Sequence, residues 1–70
     1  MREWLKTLRS EKGLTMKEMG AKLGISESYY CAIENGERQT KMDMMLAAGL
    51  ATVFGISVAQ VVANEQERNS

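Results

Sequence analysis

Seventy residues suffice for one domain, and a domain of that size buries only about 60% of its chain surface. With a single cysteine, Cys31, and no histidine, an internal disulfide framework and the usual zinc ligand sets are excluded, which leaves self-association as the route to a wider stability margin. The formal net charge is zero, but residues 1–41 carry eight Lys/Arg against six Asp/Glu, whereas residues 42–70 carry one Arg against three acids, so the positive charge sits in the first half.

The predicted elements are all helical, since no stretch alternates with a period of two and no proline interrupts the chain. Helix one is expected over about 2–12, with Trp4, Leu5 and Leu8 at helical spacing and Gly13 as its stop. Helix two opens at Thr15. There, Thr15 and Glu18 have the spacing of a capping box, Met16, Met19 and Leu23 give the inner face, and Gly24 ends the run. Ser26 is the expected N-cap of helix three, which runs from Glu27 to Asn35 and stops at Gly36. A polar loop, Glu37 to Lys41, leads to helix four from about Asp43 to Gly55. Ser57 and Gln60 form a second capping box that opens helix five, which is expected to fade into a frayed polar tail over 64–70. The domain is therefore placed at 1–63.

Charges at Arg2, Glu3 and Lys6, where an export signal needs an apolar run, and the lone cysteine predict a cytoplasmic protein. Nothing supports catalysis, and no cofactor or metal is expected: histidine is absent, no basic or cationic group flanks Cys31, and there is no phosphate-binding glycine loop. The methionines, Met16, Met19, Met44 and Met45 among them, fall on apolar stripes and are expected to fill core.

The 20 residues 44–63 carry no charge and are long enough to span a bilayer, which makes a single-pass tail a rival reading. Thr52, Ser57, Gln60 and the stop at Gly55 argue against it. Read as a water-soluble segment, helix four is apolar on both sides, so one side needs cover from outside the domain. Leu50, Val53, Val58, Val61 and Val62 are the expected dimer interface.

The stretch from Met16 to Asn35 reads as two short helices joined by a tight turn. Gly20 lies inside the first helix, where it costs about 1 kcal/mol relative to Ala, and its missing side chain suggests that helix three crosses over it. Ser26 leaves the second helix's amide end facing outward, an end that suits phosphate. Leu8-Arg9, Gly13-Leu14-Thr15, Glu18-Met19-Gly20, Lys22-Leu23-Gly24-Ile25-Ser26 and Ile33-Glu34-Asn35-Gly36, in this order and spacing, resemble the lambda-repressor-like (Cro/repressor, XRE-type) helix-turn-helix family.

That resemblance implies an all-α, five-helix domain with helix three in the major groove of double-stranded DNA. It carries base reading onto Ser26, Glu27, Ser28 and Ala32, with Tyr29 reaching a base or phosphate. Backbone contacts fall on Thr15, Met16, Asn35, Arg38, Gln39 and Lys41. It also implies an ion pair between Arg9 and Glu34. The expected function is a dimeric transcriptional regulator that binds a palindromic operator, a repressor of the size known from phage, plasmids and restriction–modification systems. A second reading is a protein-interaction module, an antitoxin or accessory subunit, using the apolar surface of helices four and five. The sequence departs from the family at Met16, where glutamine is common, at Tyr30, usually aliphatic, and at Glu27, which sets a negative charge near the phosphates. The stretch from Gly36 to Gly55 is longer than the family's and lacks its usual loop proline.

Overall fold

Short polar side chains set most of the helix starts. The computed structural model describes residues 1–68, which form α1 (Glu3–Glu11), α2 (Met16–Leu23), α3 (Glu27–Asn35), α4 (Met44–Phe54) and α5 (Val58–Arg68), with no strand among the described residues. Thr15 Oγ1 accepts from the Glu18 amide at 3.1 Å while Glu18 Oε1 accepts from the Thr15 amide at 2.9 Å. Ser26 Oγ accepts from the Tyr29 amide at 3.1 Å, and Asp43 Oδ1 from the Leu46 amide at 2.8 Å. Ser57 and Gln60 exchange the same reciprocal pair of bonds as Thr15 and Glu18. Each cap satisfies amides that a helix start leaves without an intrahelical acceptor.

The core takes side chains from every helix. Leu5, Met19, Tyr30, Ile33, Leu50 and Val61 have no exposed surface, and Ala47, Ala51 and Phe54 are nearly as buried. α2 packs on α3, α4 on α5, and α5 returns to lie against α1. α4 and α5 meet at a bend of 109°, and among the described residues no single helix is long and apolar enough to cross a membrane.

A charged group sits inside this apolar frame. Arg2 is wholly buried as the N-cap of α1, although the sequence places it as the first residue of that helix. Its Nε donates to both Glu65 carboxylate oxygens at 3.0 Å, and its Nη2 donates to Glu65 Oε2 at 2.7 Å. Nη1 donates to the carbonyls of Ile33 (2.5 Å) and Arg38 (3.0 Å), and Nη2 also donates to the Gln39 carbonyl. Trp4 Nε1 adds a bond to Glu65 Oε1 at 3.2 Å.

Four expectations are corrected here. α5 continues to Arg68, and Glu65, placed in a frayed tail, is buried against Arg2; residues 69 and 70 lie outside the described residues. The domain boundary at 63 therefore cuts through a packed helix. Leu50 and Val61, taken as dimer-interface residues, belong to the core of the single chain, because α5, which carries Val61, folds back against α4. Met44 and Met45 do not fill core: they stand 73% and 85% exposed on the first turn of α4.

Breaking a buried ion pair leaves an uncompensated charge, so Glu65→Ala or Arg2→Ala costs about 3 kcal/mol, or about 10–20 °C in Tm. The double replacement Arg2→Met with Glu65→Leu costs less than either single change, because no charge is stranded. Thermal denaturation followed by circular dichroism measures all three, and a double variant as unstable as the sum of the singles contradicts this account.

Candidate nucleic-acid interface

The turn between α2 and α3 is built from backbone in close contact. Gly24 ends α2 in the left-handed region at φ 72°, and the Ile25 amide bonds back to the Gly20 carbonyl at 2.9 Å. A Cβ on Gly20 would stand 2.8 Å from the Ile25 carbonyl oxygen, 3.2 Å from the Ser26 carbonyl carbon and 3.3 Å from the Glu27 amide nitrogen. What passes over Gly20 is the connector and the first residue of α3, rather than the body of α3.

Helical spacing divides α3 into two faces. Tyr30, Ile33 and Glu34 point into the core, which leaves Ser28 and Ala32 outward, four residues apart. Ser26, Glu27, Ser28 and Tyr29 are exposed along the first turn, and Ala32 is half-buried. Ser26 Oγ is engaged by its own helix cap.

Two arginines hold the inner face. Arg9 grips the wholly buried Glu34 carboxylate with Nε at 2.9 Å and Nη2 at 3.1 Å, and its Nη1 donates to the Leu14 carbonyl at 2.9 Å. The bond to Glu34 holds the Arg9 guanidinium above its ordinary range, against a smaller opposing effect of burial. Burial, followed by the Glu34 carboxylate, pushes the Tyr30 phenol well up, so it stays neutral. Its hydroxyl is buried and has no hydrogen-bond partner among the described residues. Arg2 closes the same C-terminal end of α3. Its amide donates to the Glu34 carbonyl at 2.8 Å and its guanidinium to the Ile33 carbonyl, so a cation meets the helix terminus where the backbone dipole is negative.

The residues expected to touch the DNA backbone fall into two groups. Arg38 and Lys41 are exposed cations. Thr15 is exposed, but its hydroxyl is taken by the α2 cap, and its amide's bond holds Glu18 below the usual carboxylate range. Met16 is half-buried, and Asn35 Nδ2 lies 3.5 Å from Cys31 Sγ. Gln39 has positive φ, 54°, and its side chain is engaged at both ends: Nε2 donates to Tyr29 Oη at 2.9 Å and Oε1 accepts from the Asp43 amide at 3.1 Å. Arg2, Trp4 and Glu65 are the positioning residues that sequence reasoning missed. Polar residues near chain ends read as solvated, and their pairing spans 63 positions.

A helix held rigidly from behind, with short polar residues along its outer face, belongs to the class of helix-turn-helix DNA-binding domains. The helix-turn-helix family profile matches residues 5–61, and the chain belongs to this family, in its Cro/C1-like XRE branch. It is similar to the HTH-type transcriptional regulator YqaF of Bacillus subtilis, 37% identical over all of this chain and 93% of that protein. It also resembles the HTH-type transcriptional regulator y4dJ of Sinorhizobium fredii, 35% identical over 86% of this chain and 75% of the relative. A third relative, the propionyl-CoA carboxylase regulator of Cereibacter sphaeroides, is 38% identical over 91% of this chain, which spans 13% of that longer protein. No solved structure gives a significant match.

Gly20→Ala tests the close turn. The backbone at 2.8 Å must move, so the loss is about 1–3 kcal/mol despite the better helix propensity of Ala. A Gly20→Ala chain as stable as wild type in urea titration contradicts the packing described.

Proposed function

We propose that the chain is a sequence-specific, double-stranded-DNA-binding transcriptional regulator that acts as a homodimer on a palindromic operator and represses by occupying a promoter. The observation that carries this reading is the outward row of Ser26, Glu27, Ser28, Tyr29 and Ala32 on a helix whose inner face is tied down by Arg9 and Arg2. Glu27 suits a cytosine amino group, Ser28 either base type, and the Ala32 methyl a thymine methyl, each worth about 1–3 kcal/mol of discrimination at most. Arg38 and Lys41 supply phosphate contacts that set register. Membership of a family of transcriptional regulators supports the same reading.

For the dimer, the surface that stays apolar is smaller than the sequence suggests. Val62, 42% exposed, and Met44 line one shallow hollow beside α5, with Val53 and Val58 half-buried on the same two helices. A two-fold axis through such a surface sets two copies of α3 about 34 Å apart, one turn of DNA.

Selection of duplexes from a random pool by the wild-type chain, followed by fluorescence anisotropy at two salt concentrations, tests the reading. A palindromic consensus bound tightly, with weak and salt-steep binding elsewhere, is the expected result. Uniform weak binding, or none, favours the protein-interaction module. Ala32→Glu abolishes specific binding without lowering Tm by more than a few degrees. Lys41→Ala weakens binding to all duplexes alike and flattens the salt slope by about one unit. Val62→Asp yields monomers in sedimentation, and an intact Val62→Asp dimer moves the interface elsewhere.

A further inference from the structure

We propose that Gln39 is a positioning residue that makes the Tyr29 hydroxyl an obligate hydrogen-bond donor to DNA, so that Tyr29 accepts only a hydrogen-bond acceptor opposite it. The inference rests on the DNA-binding reading above and deepens it.

The polarity follows from one donor whose identity is set by its chemistry. The Asp43 amide can only donate, and the side-chain atom of Gln39 that faces it at 3.1 Å must be the carbonyl, Oε1. The NH2 end therefore faces Tyr29, and across 2.9 Å it can only donate, so Tyr29 Oη accepts. A phenol that accepts here still has its own proton to place. No acceptor for that proton is found among the described residues, and Tyr29 lies at the surface on the first turn of α3. The outward partner must accept: a phosphate oxygen, or an acceptor atom on a base edge such as guanine N7 or thymine O4.

The orientation of Gln39 is itself held from the core. Its backbone sits at φ 54°, a conformation uncommon outside glycine, and its carbonyl accepts from buried Arg2, which also binds the neighbouring Arg38 carbonyl. Three bonds run in one direction, Asp43 amide to Gln39 to Tyr29 to DNA, and each polarises the next. Gln39 thus acts behind Tyr29 rather than on a phosphate of its own.

Glutamate at position 39 reverses the chain. A carboxylate accepts from the Asp43 amide and from the Tyr29 hydroxyl, which turns the phenol proton inward. The experiment is a double-mutant cycle on the full chain: wild type, Tyr29→Phe, Gln39→Glu and the double variant, each titrated against the duplex selected by wild type. Tyr29→Phe weakens binding about tenfold, the size of one neutral hydrogen bond. Gln39→Glu adds a repulsive charge in both backgrounds, but costs about tenfold more with Tyr29 present than in the Tyr29→Phe background. Equal costs in the two backgrounds, or a Tyr29→Phe chain that binds as wild type does, overturn the proposal while leaving the DNA-binding reading intact. A wild-type chain that selects no duplex overturns both. Gln39→Met removes the orienting amide without adding charge and serves if Gln39→Glu lowers Tm. Repeating the selection with Tyr29→Phe separates the two acceptor sources: preference relaxed at one position of each half-site identifies a base edge, and an unchanged consensus with uniformly weaker binding identifies a phosphate.

Discussion

A guanidinium has five N–H donors, and burying one is tolerable only where every donor meets an acceptor. Arg2 meets this condition with a carboxylate from α5, a carbonyl from the last turn of α3 and two carbonyls from the loop behind it. Three distant segments must be in place together before that charge can leave water. The pair is weak evidence for net stability, because two desolvated ions regain little more than their hydration. Its consequence is geometric: one arrangement of the N-terminus, the end of α5 and the loop 36–43 satisfies all five donors.

The outer face of α3 inherits its position from that arrangement. Arg2 binds the end of the helix, Arg9 binds Glu34 near that end through a two-point contact, and the bare Gly20 lets the turn close at its start. A helix fixed at three points presents Ser28 and Ala32 at a constant angle, which the proposed readout of base edges requires, since hydrogen bonds fail over fractions of an ångström. The same guanidinium fixes Gln39, so one buried charge serves both the frame and the loop beside the outer face of α3.

α4 shows how little an amphipathic pattern says when nearly every residue is apolar. Both of its sides are candidates for burial in the sequence, and the packing of α5, which turns back at 109°, and of α2 on α4 decides between them, leaving Ala47, Leu50 and Ala51 in the core. Met44, Met45 and Val62 are what that choice leaves outside. The uncovered area is therefore a small patch near the start of α4 and the outer side of α5, and not the long valine and leucine stripe that the pattern suggests.

Local features were legible in the chain alone. Thr15, Ser26, Asp43 and Ser57 each act on an amide three residues away, and Gly24 and Gly36 take a backbone form that disfavours other residues, so five helices and their ends could be read within a residue or two over most of the chain. The family motif further placed Arg9 beside Glu34, because both lie inside its spacing. What depends on long-range pairing was settled by folding: that Arg2 and Glu65 are core, that α5 outlasts its apolar pattern to reach Arg68, that Leu50 and Val61 face inward, and that Gln39 turns to Tyr29. A charged residue near a chain end has the same sequence signature whether it is solvated or buried. Only the carbonyls and the carboxylate that folding brings around it distinguish the two.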